Sequence, residues 1–307
     1  MSSKLVVMVR CFLVSTLQNP DWIAILNVTS LHTYPVKALR GQDHEHFAIK
    51  PRGPEGDRRF MVVDDQNVFL TQRDTPDLAR IGTRYVDGVL HLVFNGTSVP
   101  VKIQSEPQRA NVIVWDDVVF AAIAGDEVNA AASDFLGQTV RIAAMDEKSE
   151  RKADQDFAKP GDPVSFADAF PYLIASETSL HSLNEQIAAD GGDGVGMERF
   201  RPNIVVDGFP AWDEDSWKVI KVGDVLFDAT NPCTRCSVTT TDQINGVRNE
   251  DNQPIRTLNR IRRSGDKSVI GPLFAWNLIP RGDGVVNVGD SVEIVERRER
   301  WPILSRD

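Results

Sequence analysis

The sequence predicts a β-rich α+β chain made of two barrel-like sheet domains with a few flanking helices. Three observations carry that reading. Short β-prone runs bounded by turn residues recur in both halves of the 307 residues. The apolar spacing of a helix appears only sparingly, so the strand–helix alternation of a parallel sheet is missing. Between the halves, Asp146 to Pro163 is rich in charge, glycine and proline, with almost nothing to bury, as in a linker or long surface loop. The expected organisation is a leader over 1–25, a domain over 26–145, a linker or surface loop over 146–165, a domain over 166–298 and a tail over 299–307.

In chain order, Leu26 to His32 reads as a strand. It runs into a loop bracketed by Pro35 and Gly41 that carries Lys37 and Arg40. A turn at Gly53 to Arg59 feeds a strand at Phe60 to Val63, with Val68 to Thr71 as its hairpin partner. Asn95-Gly96 between Val89–Phe94 and Ser98–Ile103 is a strong two-residue hairpin signal. Val112–Trp115 and Val118–Phe120 repeat the pattern around Asp116-Asp117. Asp126 to Leu136 has a helical stripe (Val128, Ala131, Ala132, Phe135, Leu136) stopped by Gly137. Val140 to Ala144 closes this half as a strand. The second half opens on a buried strand, Pro171 to Ala175. A helix follows with a hydroxyl N-cap at Ser176 and Leu180, Leu183 and Ile187 on one face. Gly191 to Gly196 is a flexible loop, since no strand leads into it and no P-loop Lys-Ser/Thr follows it. Ile204 to Asp207 is a strand, and the turns Gly223-Asp224 and Gly289-Asp290 each lead into a β-rich run.

Composition removes several function classes. The apolar fraction of 41% and charged fraction of 25% are those of a globular protein. A net charge of -10 argues against a nucleic-acid partner, because phosphate neutralisation needs a basic face. Three cysteines do not make a disulfide framework, and reduced thiols are expected. The expected location is intracellular and cytoplasmic, with mitochondrial association as the other reading. Leu5 to Val14 is apolar but short of the roughly 20 residues that span a bilayer. It reads as a disordered leader, with a targeting segment as the alternative, and membrane association is left open.

Chemistry concentrates at Asn231 to Asp242. Cys233 and Cys236 form C-x-x-C with Arg235 beside the second, ahead of a β-prone run, Ser237 to Thr241. A thiol at a strand start next to a guanidinium is placed for thiolate chemistry. Structural zinc would need two more ligands at suitable spacing, and neither Cys11 nor the five histidines supply a matching pair. A thioredoxin-like pair lacks its βαβ surroundings. Ligation of a soft metal by one thiolate and simple packing of two small residues both stay open. A second set is four cations at stiff backbone positions: Lys37, Arg58, Arg201 and Arg235. Each alone is an ordinary surface charge or ion pair, whereas together they would suit a phosphate-bearing anion. The sequence contains no H-E-x-x-H, G-x-S-x-G, Walker or well-placed dinucleotide motif.

These residues also carry a family resemblance. Tyr34-Pro-Val-Lys37, Asp57-Arg58-Arg-Phe-Met61, Arg199-Phe-Arg201-Pro-Asn203, Glu214-Asp-Ser-Trp217, Cys233-x-Arg235-Cys236-x-x-Thr-Thr-x-Asp242 and Gly289-Asp290 occur in the order seen in MOSC-domain proteins. The resemblance spans roughly residues 26 to 296 and covers an N-terminal MOSC β-barrel domain and the MOSC domain proper. It is similar to the amidoxime-reducing component of mitochondria and its bacterial relatives. It implies a molybdenum cofactor, molybdopterin with molybdenum, with Cys236 as catalytic metal ligand and the role of Cys233 open. Cofactor contacts carry over to Lys37, Arg58, Arg201, Asn203, Thr234 and Arg235, and less securely to Ser133. Ala38 is a departure, since many relatives have serine there.

The resemblance further implies an oxidoreductase that reduces N-hydroxylated or N-oxygenated small molecules. The chain carries no ferredoxin-like cysteine cluster and no pyridoxal-phosphate sulfurase domain. The electron donor is therefore expected to be a separate protein, a haem or iron–sulfur carrier with a flavin reductase. The alternative is a non-catalytic cofactor carrier or sulfur-transfer module, and a third reading is an interaction protein without the cofactor.

Overall fold

Alternating apolar residues let a strand bury one face, and continuous apolar runs bury two. Both patterns are used here. The computed structural model describes residues 26–305. Among them are nineteen strands and three α-helices, α1 (Asp126–Leu136), α2 (Glu177–Ala189) and α3 (Ile255–Ile261). The chain is β-rich α+β, with its sheets curled into two half-barrels. The expectations for residues 1–25, Cys11 among them, lie outside the described residues. No described helix is long and apolar enough to cross a membrane.

The larger sheet has eight strands in the order Val292–Arg297, Trp217–Val222, Val225–Thr234, Leu273–Pro280, Tyr172–Ser176, Ile204–Asp207, Asn27–Thr33 and Gln42–His44. Every neighbouring pair is antiparallel except Tyr172–Ser176 with Ile204–Asp207. A parallel pair needs a crossover, and α2 lies within it. Tyr172–Ser176 is buried along its whole length because both faces are covered. Tyr172 and Ile174 point into a core with Trp217, Phe227 and Trp276. Leu173 and Ala175 point the other way, into a core with Leu183, Ile187 and Phe274.

The first half builds a four-stranded sheet (Phe60–Val63, Arg141–Ala144, Asp117–Ile123, Arg109–Val114) and a three-stranded one (Gly82–Val86, Val89–Phe94, Thr97–Pro100). The Asn95-Gly96 hairpin and the stop of α1 at Gly137 stand where the sequence puts them. Gly137 is left-handed (φ 67°), the conformation glycine tolerates best at a helix end.

The two halves share strands and cores. Asn27–Thr33 and Gln42–His44 lie in the sheet of the second half, and His46–Ile49 pairs with Gly284–Asn287. In return, Phe166 packs among Met61, Val112 and Ile123 of the first.

Two expectations change, and two elements are new. Ser237 to Thr241 is not a strand: Ser237–Thr240 forms a 3-10 turn. The Thr239 and Thr240 hydroxyls donate back to the carbonyls of Cys236 (2.9 Å) and Ser237 (2.7 Å), which favours a turn over a ladder. Val68 to Thr71 is not a regular hairpin strand and makes only isolated bridges, Val63 with Phe69 and Val68 with Ile113. The Leu273–Pro280 strand, next to the centre of the large sheet, and helix α3 are additions that the sequence reading did not place.

Candidate functional site

The Val225–Thr234 strand pairs with Leu273–Pro280, and its register shifts on either side of Pro232. Proline has no N–H to give a ladder and is confined to such irregularities. The chain leaves the sheet there, Arg235 N–H donates to the Pro272 carbonyl at 2.8 Å, and Cys236 stands at the head of the Ser237–Thr240 turn. The Cys236 thiol therefore follows a strand end and does not begin a strand, contrary to the sequence reading.

It faces a cleft of about 910 Å³, open mouth included, between residues of both halves. The first half contributes Lys37, Arg58, Phe69, Arg73 and Trp115. The second contributes Asp168, Phe200, Arg201, Asn203 and the run Cys233 to Cys236. Seven of the eight residues expected to hold or ligate a cofactor thus line one space. Ser133 does not. It lies on α1, where its hydroxyl donates to Asn129 O (2.8 Å) and accepts from Val140 N–H (3.0 Å), tying the helix to the chain that follows.

A buried junction sets the cations. Asp57 is fully buried and accepts from Tyr34 N–H (2.7 Å), Arg58 Nη1 (2.8 Å) and Asn203 Nδ2 (3.2 Å). Arg58 also donates to Asn203 Oδ1 and to the Arg201 carbonyl. Both guanidiniums lie against the Tyr34 ring, at 4.4 and 4.2 Å. Burial pushes the Tyr34 hydroxyl up to about 12. Burial, and then the charge of Arg58, bring Arg201 down to about 10, which still leaves it charged at neutral pH. Arg201 donates Nη1 to Leu39 O and Gln243 Oε1, while its buried Nη2 has no partner. Asn203 positions this junction, its amide being shared among Asp57, Arg58, His32 O and Leu173 N–H.

Lys37 is buried, and its Nζ donates to Phe166 O (3.0 Å) and Asp168 Oδ1 (2.5 Å) near the rings of Phe69 and Trp115. Burial lowers its pKa against the pull of Asp168. The Asp168 side chain is 74% exposed to the cleft. Desolvation by the surrounding walls opposes its charge, yet Lys37, Arg58 and Arg235 hold its carboxyl well below the usual carboxylate range.

Arg235 sits beside Cys236 in sequence, but its Nη1 reaches the other thiol, Cys233 Sγ, at 2.9 Å. Burial pushes the Cys233 thiol up by more than Arg235 draws it down. Arg235 Nη2 donates to Phe200 O, and its buried Nε is unpartnered. Thr234 is exposed at the cleft. Four non-glycine residues of the lining, Ala38, Arg58, Trp115 and Arg201, have positive φ (46° to 67°). Such strain persists only where the surroundings impose it, and it clusters at functional sites. Sequence reasoning missed Asp168, Phe69, Arg73 and Trp115. None carries a motif, and only the fold brings them to the cleft. Among the described residues no three His, Cys, Asp or Glu side chains converge as a metal site.

Two family models match the chain. A family model for the MOSC N-terminal beta barrel domain matches residues 25–139, and one for the MOSC domain matches residues 161–293. The chain is 29% identical to human mitochondrial amidoxime-reducing component 1 over 283 residues, covering 87% of this chain and 82% of that one. Its identity to the mouse protein of the same name is 28% over 285 residues, with the same coverage. It is 24% identical to the molybdenum cofactor sulfurase of Arabidopsis thaliana, covering 86% of this chain but 34% of that longer protein. The chain belongs to the MOSC-domain family, with the N-terminal β-barrel module and the MOSC domain joined in one polypeptide.

Proposed function

We propose that the chain binds a molybdenum cofactor in this cleft and reduces N-hydroxylated or N-oxygenated small molecules with electrons from a separate redox protein. The observation that carries the reading is the convergence of Lys37, Arg58, Arg201 and Arg235, from both halves of the chain, on one cleft that also holds Cys236. An anionic, phosphate-bearing cofactor with sulfur ligands of its own fits this donor set: guanidiniums suit phosphate, and a thiolate suits a soft metal. Since the described residues offer no cluster of protein metal ligands, a metal at Cys236 would take its other ligands from the cofactor.

In this reading Cys236 is the metal ligand, and Lys37, Arg58, Arg201, Thr234 and Arg235 hold the cofactor with Asn203 positioning Arg58. Ser133 has no part in it. The cofactor would supply the two-electron reduction, in which the N–O bond breaks and the oxygen leaves as water with two protons. The protein orients the substrate, and the walls formed by Phe69, Trp115 and Phe200 exclude water, which strengthens every charge interaction in the cleft. A second reading, a cofactor carrier or sulfur-transfer module, draws on the match to part of a cofactor sulfurase.

Protein made in a cofactor-competent host should carry about one molybdenum and one pterin per chain, as a single site requires. Cys236→Ala should lose the molybdenum, and Cys233→Ala should keep it. Full molybdenum in Cys236→Ala would sink the ligand assignment. Turnover of benzamidoxime with an artificial reductant favours the reductase, while bound pterin without turnover favours the carrier.

A further inference from the structure

One cation of the cleft differs from the rest. Lys37, Arg58, Arg201 and Arg235 all donate to protein acceptors. The guanidinium of Arg73 donates to no described residue and makes no ion pair. Its backbone is nonetheless fixed: its N–H donates to Thr71 Oγ1 at 2.9 Å, and its carbonyl accepts from Arg248. Its head group lies 4.8 Å from the Trp115 ring centre. The base of this side chain is held while its charge is left uncommitted.

Trp115 is unusual in its own right. It turns the hairpin between Arg109–Val114 and Asp117–Ile123 with φ 55°, where a glycine would sit without strain. A bulky residue kept at such a position points to a use. The residue is 37% exposed, and its ring leans on Phe69 at 4.9 Å and donates Nε1 to Asp168 Oδ1 at 3.3 Å. The Arg73 guanidinium thus lies over the Trp115 indole on the cleft wall, a planar cation without an acidic partner beside a partly exposed ring. Five cations and one carboxylate line this cleft in a chain of net charge -10, so anions are focused here.

We propose that Arg73, backed by Trp115, selects substrates: it receives the acidic group of a planar N-oxygenated compound, while the protein-bound cations of the cleft hold the cofactor. This rests on reading the cleft as a molybdenum-cofactor site. A carboxylate or phosphate monoester on the substrate can pair with the guanidinium in bidentate fashion, and the planar body can lie against the indole. The preferred substrate class is therefore anionic and flat.

Equilibrium binding tests this by calorimetry, without turnover. Benzamidoxime and 4-carboxybenzamidoxime are titrated into the full-length protein and into Arg73→Gln and Arg73→Lys, with molybdenum and pterin measured in each preparation. The wild type should bind the carboxylated compound on the order of tenfold more tightly, as a charged hydrogen bond provides. Arg73→Gln should erase that preference with cofactor content unchanged, and Arg73→Lys should restore part of it. Equal affinities in the wild type, or a preference that survives Arg73→Gln, overturn the proposal. Loss of molybdenum and pterin in Arg73→Gln also overturns it, by making Arg73 a cofactor residue. A wild type without cofactor counts against the cofactor reading alone, and the affinity ratio still decides the role of Arg73.

Discussion

Glu214 shows how a single buried residue sets a pH dependence. It is 2% exposed, accepts the Ser179 hydroxyl at 2.9 Å, and is pushed up to about 7 by burial from an ordinary value of 4.5. Between those two pH values the native state holds a proton that the unfolded chain has released. Stability from this group is therefore fully present below about 4.5 and falls as pH rises toward 7. The size is roughly 3 kcal/mol, since each tenfold change in proton affinity is worth about 1.4 kcal/mol. Glu214→Gln should remove this slope, so urea unfolding at pH 5 and pH 7.5 should show the wild type losing stability relative to the variant. Parallel losses in both would mean that Glu214 is ionised in the native state throughout. The two cysteines teach a related lesson about residues. Neighbours in sequence suggested a guanidinium acting on Cys236, but the change of direction at the strand end sends Arg235 to Cys233.

Helix α3 is joined to the 3-10 turn Asp213–Ser216, just ahead of the Trp217–Val222 strand, by another buried charge. Arg262, at its C-cap, donates Nη1 and Nη2 to the two oxygens of Asp215 at 2.8 and 2.7 Å, with both side chains almost fully buried. Arg262→Leu would leave the Asp215 carboxylate buried and unpaired, at a cost of about 3–5 kcal/mol. Arg262→Leu with Asp215→Leu should recover most of that, because an apolar pair needs no solvation. A double variant as unstable as the single one would show that packing, not charge, is at stake, and chemical denaturation decides between them. This contact belongs to an element that was not legible in the sequence. Ile255–Ile261 is only 7 residues long, too short for an apolar stripe to stand out. Hairpins and helix stops were legible because Asn95-Gly96 and Gly137 encode local backbone geometry. The run Leu273 to Pro280 resisted periodicity because both its faces are covered, so it does not alternate. The turn after Cys236 was misread because threonine favours strands on average, while here its hydroxyls bond back to the chain. The cation positions were legible one by one, since each sits at a turn or strand boundary. Their convergence was not, because it depends on how the halves meet.

At the scale of the whole molecule, that meeting is an exchange of parts. Val28, Leu31, Phe47 and Ile49 from the start of the chain complete the core around Trp217, Phe227 and Trp276. Phe166 from beyond the loop region completes the core of the four-stranded sheet, and its carbonyl accepts Lys37 Nζ. The Asp57, Arg58, Arg201 and Asn203 junction, buried at the floor of the cleft, draws on both halves as well. Unfolding either half would expose apolar surface of the other, and unfolding the second would strip Lys37 of both its acceptors, Phe166 O and Asp168, at a cost of several kcal/mol. No state with one half unfolded should therefore be populated, although two separate sheets would ordinarily permit it. Four of the described tryptophans, at 212, 217, 276 and 301, belong to the second half, so fluorescence reports mainly on that part. Far-UV circular dichroism reports on both. Urea transitions followed by the two signals should coincide, with one midpoint. The amides of Asp117–Ile123 and Leu273–Pro280 should exchange hydrogen with the same free energy of opening. If the first-half strand opened at lower urea, the shared cores would be adjacent without being coupled. The cleft would then be a seam that opens on its own, and cofactor retention would track that opening instead of global stability.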